Sequence, residues 1–199
     1  MVFESMLEYV MIYRLFSFRR CPYAIAARLA LSYTDLQYEL IEVNLRDKPP
    51  ELFKVSPKGT VPVWVMSETV IDESADIVAF ALNRVGMPVT SGHEGAVLIQ
   101  DLLGKYLPAM HAFKYSTQPD QNNIDLIEQF LAQLDHRLSQ HRYLMGSIIS
   151  DCDIRVYPLV RQGAKIDQAW FSALPFSQLH RWMAEWDQEM ILRNIMKKD

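Results

Sequence analysis

The chain has 199 residues, half of them hydrophobic and 22% charged, with a formal net charge of -4. This is the composition of a globular protein with enough chain to bury a substantial core, as one large or two small domains. The slight acidic excess gives no reason to expect a nucleic-acid partner, and no apolar run approaches the ~20 residues of a membrane span.

The opening "MVFESMLEYVMIYRLF" is apolar but interrupted by Glu4, Glu8 and Arg14. It has neither a basic leader nor a small-residue cleavage site, which argues against a signal peptide. Residues 1–10 match no motif and read as an N-terminal extension. "MIYRLFSF" (11–18) is predicted as a buried strand that ends at the Arg-Arg-Cys-Pro turn. From Pro22, "PYAIAARLALSY" is rich in alanine and leucine and opens with a proline, the residue favoured in a first helical turn. "QYELIEVNL" (37–45) alternates as a half-buried strand does, and a short loop or helix follows. "VPVWVM" and "TVIDE" are short strands poised to form a hairpin across Ser67-Glu68. "ESADIVAFALNRVG" places Ile77, Phe80, Ala81 and Val85 on one helical face, with Gly86 as its stop.

Strand–helix–strand implies a parallel pair, to which the hairpin adds an antiparallel edge. "GMPVTSGHEG" (86–95), with three glycines and a proline, reads as a linker. Beyond it the spacing is helical throughout, over 96–115, 122–141 and the last 25 residues. The expected organisation is α/β followed by all-α, with domains at 11–85 and 96–199. At "ISDCDI", Ser150 and Asp153 have the spacing of a reciprocal cap, with Ile149 and Ile154 as its hydrophobic staple.

The chemistry centres on Cys21. A thiol at a helix N-terminus meets unpaired N–H groups and the positive end of the dipole, which lower its pKa, and Arg19 and Arg20 add charge. The alternative is a buried, inert cysteine. Ala24 stands where a dithiol enzyme carries its second sulfur, so a single-thiol cycle needs an external thiol. The other cysteine, Cys152, lies within the cap motif and reads as structural. Two cysteines so far apart suggest a reducing, cytoplasmic setting, not a disulfide framework. His136 and His141 are five apart, poor spacing for a shared metal ion, and no metal is expected. Trp170, Trp182 and Trp186 read as packing residues.

Four stretches together resemble the glutathione S-transferase family, in its cysteine-type branch, which is omega-like and related to glutaredoxins. "FRRCPYA" resembles the active-site turn, "SPKGTVPVW" the loop into a cis-proline at Val61-Pro62, "VIDESADI" the Glu-Ser motif and "SIISDCDIRVYPLVRQ" the capping-box helix. The resemblance implies a thioredoxin-like N-terminal domain followed by a helical one, with glutathione as co-substrate. It implies Cys21 as the nucleophile and Val61, Pro62, Glu73, Ser74 and Lys48 as glutathione-binding residues, with Val61 pairing to the cysteinyl backbone like an added strand. The plainer alternatives are a trans proline opening an edge strand, Ser74 as a helix N-cap, and Lys48 as a solvated loop lysine. Within Tyr106, Met110, Phe113 and Tyr115, the resemblance implies that some residues line the second-substrate pocket and most are core.

The function so implied is a thiol transferase or reductase that forms a mixed disulfide between Cys21 and glutathione. Its partner would be a small-molecule or protein mixed disulfide, and the protein would be a cytoplasmic homodimer. Conjugation of glutathione to electrophiles, assisted by a hydroxyl such as Ser17 or Tyr23, is the runner-up. A non-catalytic interaction protein on the same fold is the rival from another class.

Overall fold

The computed structural model describes residues 13–89, 92–116 and 120–197. The expected N-terminal extension, the start of the first strand at 11–12 and the middle of the linker at 90–91 lie outside the described residues.

Four strands form one mixed sheet: β1 (Tyr13–Ser17), β2 (Tyr38–Glu42), β3 (Val63–Met66) and β4 (Thr69–Ile71), in the order β2-β1-β3-β4. β1 and β2 run parallel, with Leu15 opposite Leu40; β3 is antiparallel to both β1 and β4. The parallel pair is joined over the sheet by α1 (Pro22–Leu31), and α2 (Pro50–Val55) and α3 (Ser74–Arg84) complete the first half. The two-residue turn between β3 and β4 holds Ser67 at a φ of 49°, the left-handed conformation that a tight hairpin needs.

Side chains alternate across the sheet, and the central strands β1 and β3 are buried on both faces. Leu15 and Trp64 point into a core shared with α1 and α3, where Tyr13 stacks on the Trp64 indole. Phe16, Val63 and Val65 point to the other face, where they join Leu52 of α2 in a smaller cluster.

The second half is helical among the described residues: α4 (His93–Asp101), a π-helical turn (Leu102–Tyr106), α5 (Leu107–Tyr115), α6 (Gln121–Gln140), α7 (Asp151–Ala164), α8 (Gln168–Ala173), α9 (Ser177–Gln188) and α10 (Met190–Ile195). The helical spacing read over 96–115 is α4, the π turn and α5, and α4 begins at His93, inside the stretch read as linker. Gly92 supplies the extended residue that precedes the first helical turn. α1 packs on both α3 and α7, so the two halves share one continuous core.

Ser150 and Asp153 form the expected capping box at the start of α7. Asp153 Oδ2 accepts from Ser150 N (3.0 Å) and Ser150 Oγ (2.8 Å). Its Oδ1 reaches further, to Leu144 N (2.9 Å) and to the indole N–H of Trp182 on α9 (3.2 Å). Ile154 is fully buried, and Ile149 packs against the same cluster. Trp182 and Trp186 are core residues, and Trp170 packs on Phe113.

Candidate active site

Phe18 to Cys21 is the turn between β1 and α1, closed by a hydrogen bond from Cys21 N to Phe18 O (2.9 Å). Cys21 has extended backbone angles and is the N-cap of α1; its carbonyl accepts from Ile25 N, and Pro22 is the first helical residue. This is the helix-terminus position expected from the sequence. The Cys21 side chain is half-buried, and Sγ lies 3.8 Å from the Val61 carbonyl oxygen, to which it donates. Cys21 is thereby joined to the Val61-Pro62 bond, which is cis.

The direction of the thiol's ionisation differs from the expectation. Burial is the largest influence and pushes the Cys21 thiol up, while the backbone N–H groups of Ala24 and Tyr23 and the charge of Arg28 act against it. Neither Arg19 nor Arg20 is the cation that counts. Arg20 lies over the Phe18 ring, and the Arg19 amide N–H donates to Glu42 Oε1 (2.8 Å). The cation is Arg28, two helical turns beyond Cys21 on α1 and 2% exposed. Helical side chains lean toward the N-terminus, and Arg28 Nη2 reaches the carbonyl of Arg19 at 2.8 Å, holding the Cys21 turn from below. An arginine seven residues after a helix-capping cysteine, within an alanine- and leucine-rich helix, is a sequence signal that would have found it.

Beside this turn a cleft of about 450 Å³ opens between the two halves. One wall is Pro22, Tyr23 and Ala26 of α1; the loop of Thr60, Val61 and Pro62 closes one end. Asp72, Glu73, Ser74 and Ala75, at the N-terminus of α3, form the polar wall. The helical half contributes Leu102 and Leu103 from the π turn and Arg155 and Leu159 from α7. Val61, Pro62, Glu73 and Ser74 are therefore brought to one cleft, next to Cys21. Lys48 is not among the lining residues; it lies half-buried in the loop between β2 and α2.

At the polar wall the N-cap is Glu73, with extended angles, and Ser74 is the first helical residue; the capping role considered for Ser74 is corrected. Asp72 accepts from Ser56 Oγ (2.9 Å) and from Lys58 Nζ (3.1 Å), and these two hold its carboxyl below the usual carboxylate range. Lys58 also pairs with Glu73. Ser56 and Lys58 could not be linked to the cleft from sequence, since they lie 16 and 14 residues before Asp72. Arg155 pairs with Asp151, four residues earlier, at 3.5 Å.

Ser17, one of the two hydroxyls considered for assisting conjugation, is fully buried and does not line the cleft, whereas Tyr23 does. Cys152 is fully buried in α7. Met110 and Tyr115 line a second cleft beside the first, while Tyr106 is core and Phe113 packs on Trp170. His136 and His141 border a separate groove with Arg137 and Glu94. Among the described residues, no group of three or more His, Cys, Asp or Glu is placed to hold a metal ion, and no helix is long and apolar enough to cross a membrane.

Residues 15–88 match the family model for the glutathione S-transferase N-terminal domain. Glutathione S-transferase omega-2 of Homo sapiens is 38% identical over 55 residues, 28% of this chain and 23% of that protein. Pyrimidodiazepine synthase of Drosophila melanogaster is 43% identical over 51 residues, 26% of this chain and 21% of the relative. The matches thus span about a quarter of the relatives' length. The fold likeness is far longer. Glutathione transferase Omega 3C from Trametes versicolor superposes with a TM-score of 0.77 at 18% identity, covering 94% of this chain and 90% of that one. A glutathione transferase family member from Pseudomonas fluorescens, with two glutathione bound, gives a TM-score of 0.79 at 17% identity, covering 95% and 94%. Residues 15–88 thus belong to the glutathione S-transferase N-terminal domain family, and the mixed sheet with its helical second half has the fold of the transferases it superposes on.

Proposed function

We propose that this chain is a glutathione-dependent thiol transferase in which Cys21 is the nucleophile. The observation that carries the reading is the position of Cys21 Sγ, 3.8 Å from the Val61 carbonyl at the edge of a cleft suited to a γ-glutamyl group. The Glu73 and Asp72 carboxylates suit the ammonium of that group, and the N–H groups at the start of α3, with the Ser74 hydroxyl, suit its carboxylate. Val61 would pair with the cysteinyl backbone, which brings the glutathione sulfur toward Cys21. Lys48 stays a proposed partner for the glycyl carboxylate that would have to reach across from its loop.

In the proposed cycle the Cys21 thiolate attacks the glutathionyl sulfur of a mixed disulfide, and the leaving thiolate departs. A second glutathione thiolate then attacks the Cys21–glutathione disulfide, releasing oxidised glutathione and restoring Cys21. Burial of Cys152 and alanine at position 24 leave the second step to glutathione itself. A thiol pushed up by burial has a small thiolate fraction, but that thiolate is the more nucleophilic for it. The reading carries with it a reducing, cytoplasmic setting and a homodimer, the latter checked by light scattering in solution.

Mass spectrometry after incubation with oxidised glutathione tests the assignment. One added glutathionyl group on Cys21, and none on a Cys21→Ser variant, is expected; an unmodified Cys21 refutes it. Conjugation remains a second reading because the Tyr23 side chain lines the cleft. A Cys21→Ser variant that gains conjugating activity, and loses it again with Tyr23→Phe, would favour that chemistry.

A further inference from the structure

A second cleft of about 300 Å³ adjoins the first, and Tyr23 and Leu159 line both. Its floor is apolar, from Leu107 and Met110 of α5 and Ile166 after α7. Gly163 lets α5 approach α7 here: a Cβ at that position would lie 2.9 Å from Met110 Cε. The open end is different in character. His111 and Tyr115 lie against each other with ring centroids 4.7 Å apart, and Lys114 Nζ sits 5.0 Å from the Tyr115 centroid. Among the described lining residues Lys114 brings a full positive charge and no carboxylate opposes it, whereas the first cleft carries Asp72 and Glu73.

Resting on the thiol-transferase reading, and on the second-substrate pocket that the resemblance implies around Met110 and Tyr115, we propose that Lys114 makes this cleft select a small aromatic anion as the leaving half of the mixed disulfide. The ring would lie over the Leu107, Met110 and Leu159 floor beside Tyr23, and its carboxylate or sulfonate would meet Lys114. Volume, aromatic edges and a single sign of charge all favour such a group over an aliphatic or cationic one. The sulfur–sulfur bond of the aryl–glutathione disulfide breaks as the Cys21 thiolate attacks the glutathionyl sulfur, and the aryl thiolate leaves with the electron pair. Glutathione then reduces the Cys21–glutathione disulfide, so the balance is one aryl thiol and one oxidised glutathione from the mixed disulfide and one glutathione. Arylthiolates leave readily because their thiols are acidic.

Two measurements on the full chain test this and separate it from the reading beneath it. Calorimetric titration with 2-naphthoate and with its neutral isostere 2-naphthamide should show the anion bound about two- to fivefold more tightly, the ordinary worth of one exposed charge pair. Lys114→Gln should remove that preference and Lys114→Glu reverse it. Equal affinities in the wild type, no binding of either probe, or a preference unmoved by Lys114→Glu overturns the proposal. Turnover of glutathione mixed disulfides of 4-mercaptobenzoate and 4-mercaptobenzamide is the second arm. The kcat/KM ratio should favour the benzoate and fall in the Lys114 variants; turnover of both at an equal rate overturns the proposed selectivity. Turnover of neither, with the binding preference intact, overturns the thiol-transferase reading and leaves the anion-selective cleft standing.

Discussion

Replacing Asp153 by alanine should destabilise the protein far more than loss of a helix cap. Losing a cap costs about 0.5–2 kcal/mol, and that is the expectation for Ser150→Ala. Asp153, however, is fully buried and accepts from four donors on three parts of the chain: Ser150 N and Oγ, Leu144 N and the Trp182 indole. Alanine leaves the Leu144, Ser150 and Trp182 N–H groups facing a small cavity, and each orphaned donor costs roughly 1–3 kcal/mol. Water entering the cavity offsets part of the sum, which leaves about 3–5 kcal/mol, as for removal of one partner from a buried charged pair. Asparagine keeps an acceptor for Leu144 and Trp182 and loses the bond from Ser150 N, at about 1–2 kcal/mol. A chain of this length loses roughly 2–4 °C in Tm per kcal/mol. Calorimetry should therefore place Asp153→Ala about 6–20 °C below the wild type, with Asp153→Asn and Ser150→Ala both much closer to it. An Asp153→Ala melt within a degree or two of Ser150→Ala would show that the reach to α9 and to the α6–α7 loop contributes nothing.

Other consequences follow from the site and its supports. Iodoacetamide should alkylate Cys21 with a pH midpoint above that of N-acetylcysteine amide run alongside, since burial pushes the thiol up, and Arg28→Met should move the midpoint higher still. A midpoint well below the free thiol's would contradict this ordering of burial over charge. Glu73→Gln and Ser74→Ala should each weaken retention on immobilised glutathione by about ten- to a hundredfold, the worth of one hydrogen bond involving a charge; unchanged retention in both would move the γ-glutamyl site elsewhere. Gly163→Ala should lower Tm by several degrees, because the added methyl meets Met110 and the hydroxyl of the fully buried Tyr106, an overpacking that costs about 1–3 kcal/mol. An unshifted melt would mean that α5 gives way without cost.

The strand–turn–helix that carries Cys21, the hairpin across Ser67-Glu68 and the reciprocal cap of α7 were all legible in the sequence. Each is decided within a few residues, by side-chain alternation, a proline at a first helical turn, or two polar side chains three apart. Nearest-neighbour chemistry also singled out Cys21 at the end of a helix. What it could not decide was the balance acting on that thiol: Arg20 lies over the Phe18 ring, and the cation that counts is Arg28, from two turns along the helix. Burial is a property of everything that packs around a group, and only the folded chain sets it. The same holds for the cleft. Lys58 meets Asp72 and Glu73 across the sheet's end, and Arg155 and Leu159 close the site from α7, more than 80 residues beyond Ser74. The local pattern determined which segments form and which one presents a thiol; the packing of α1 against α3 and α7 decided what that thiol faces.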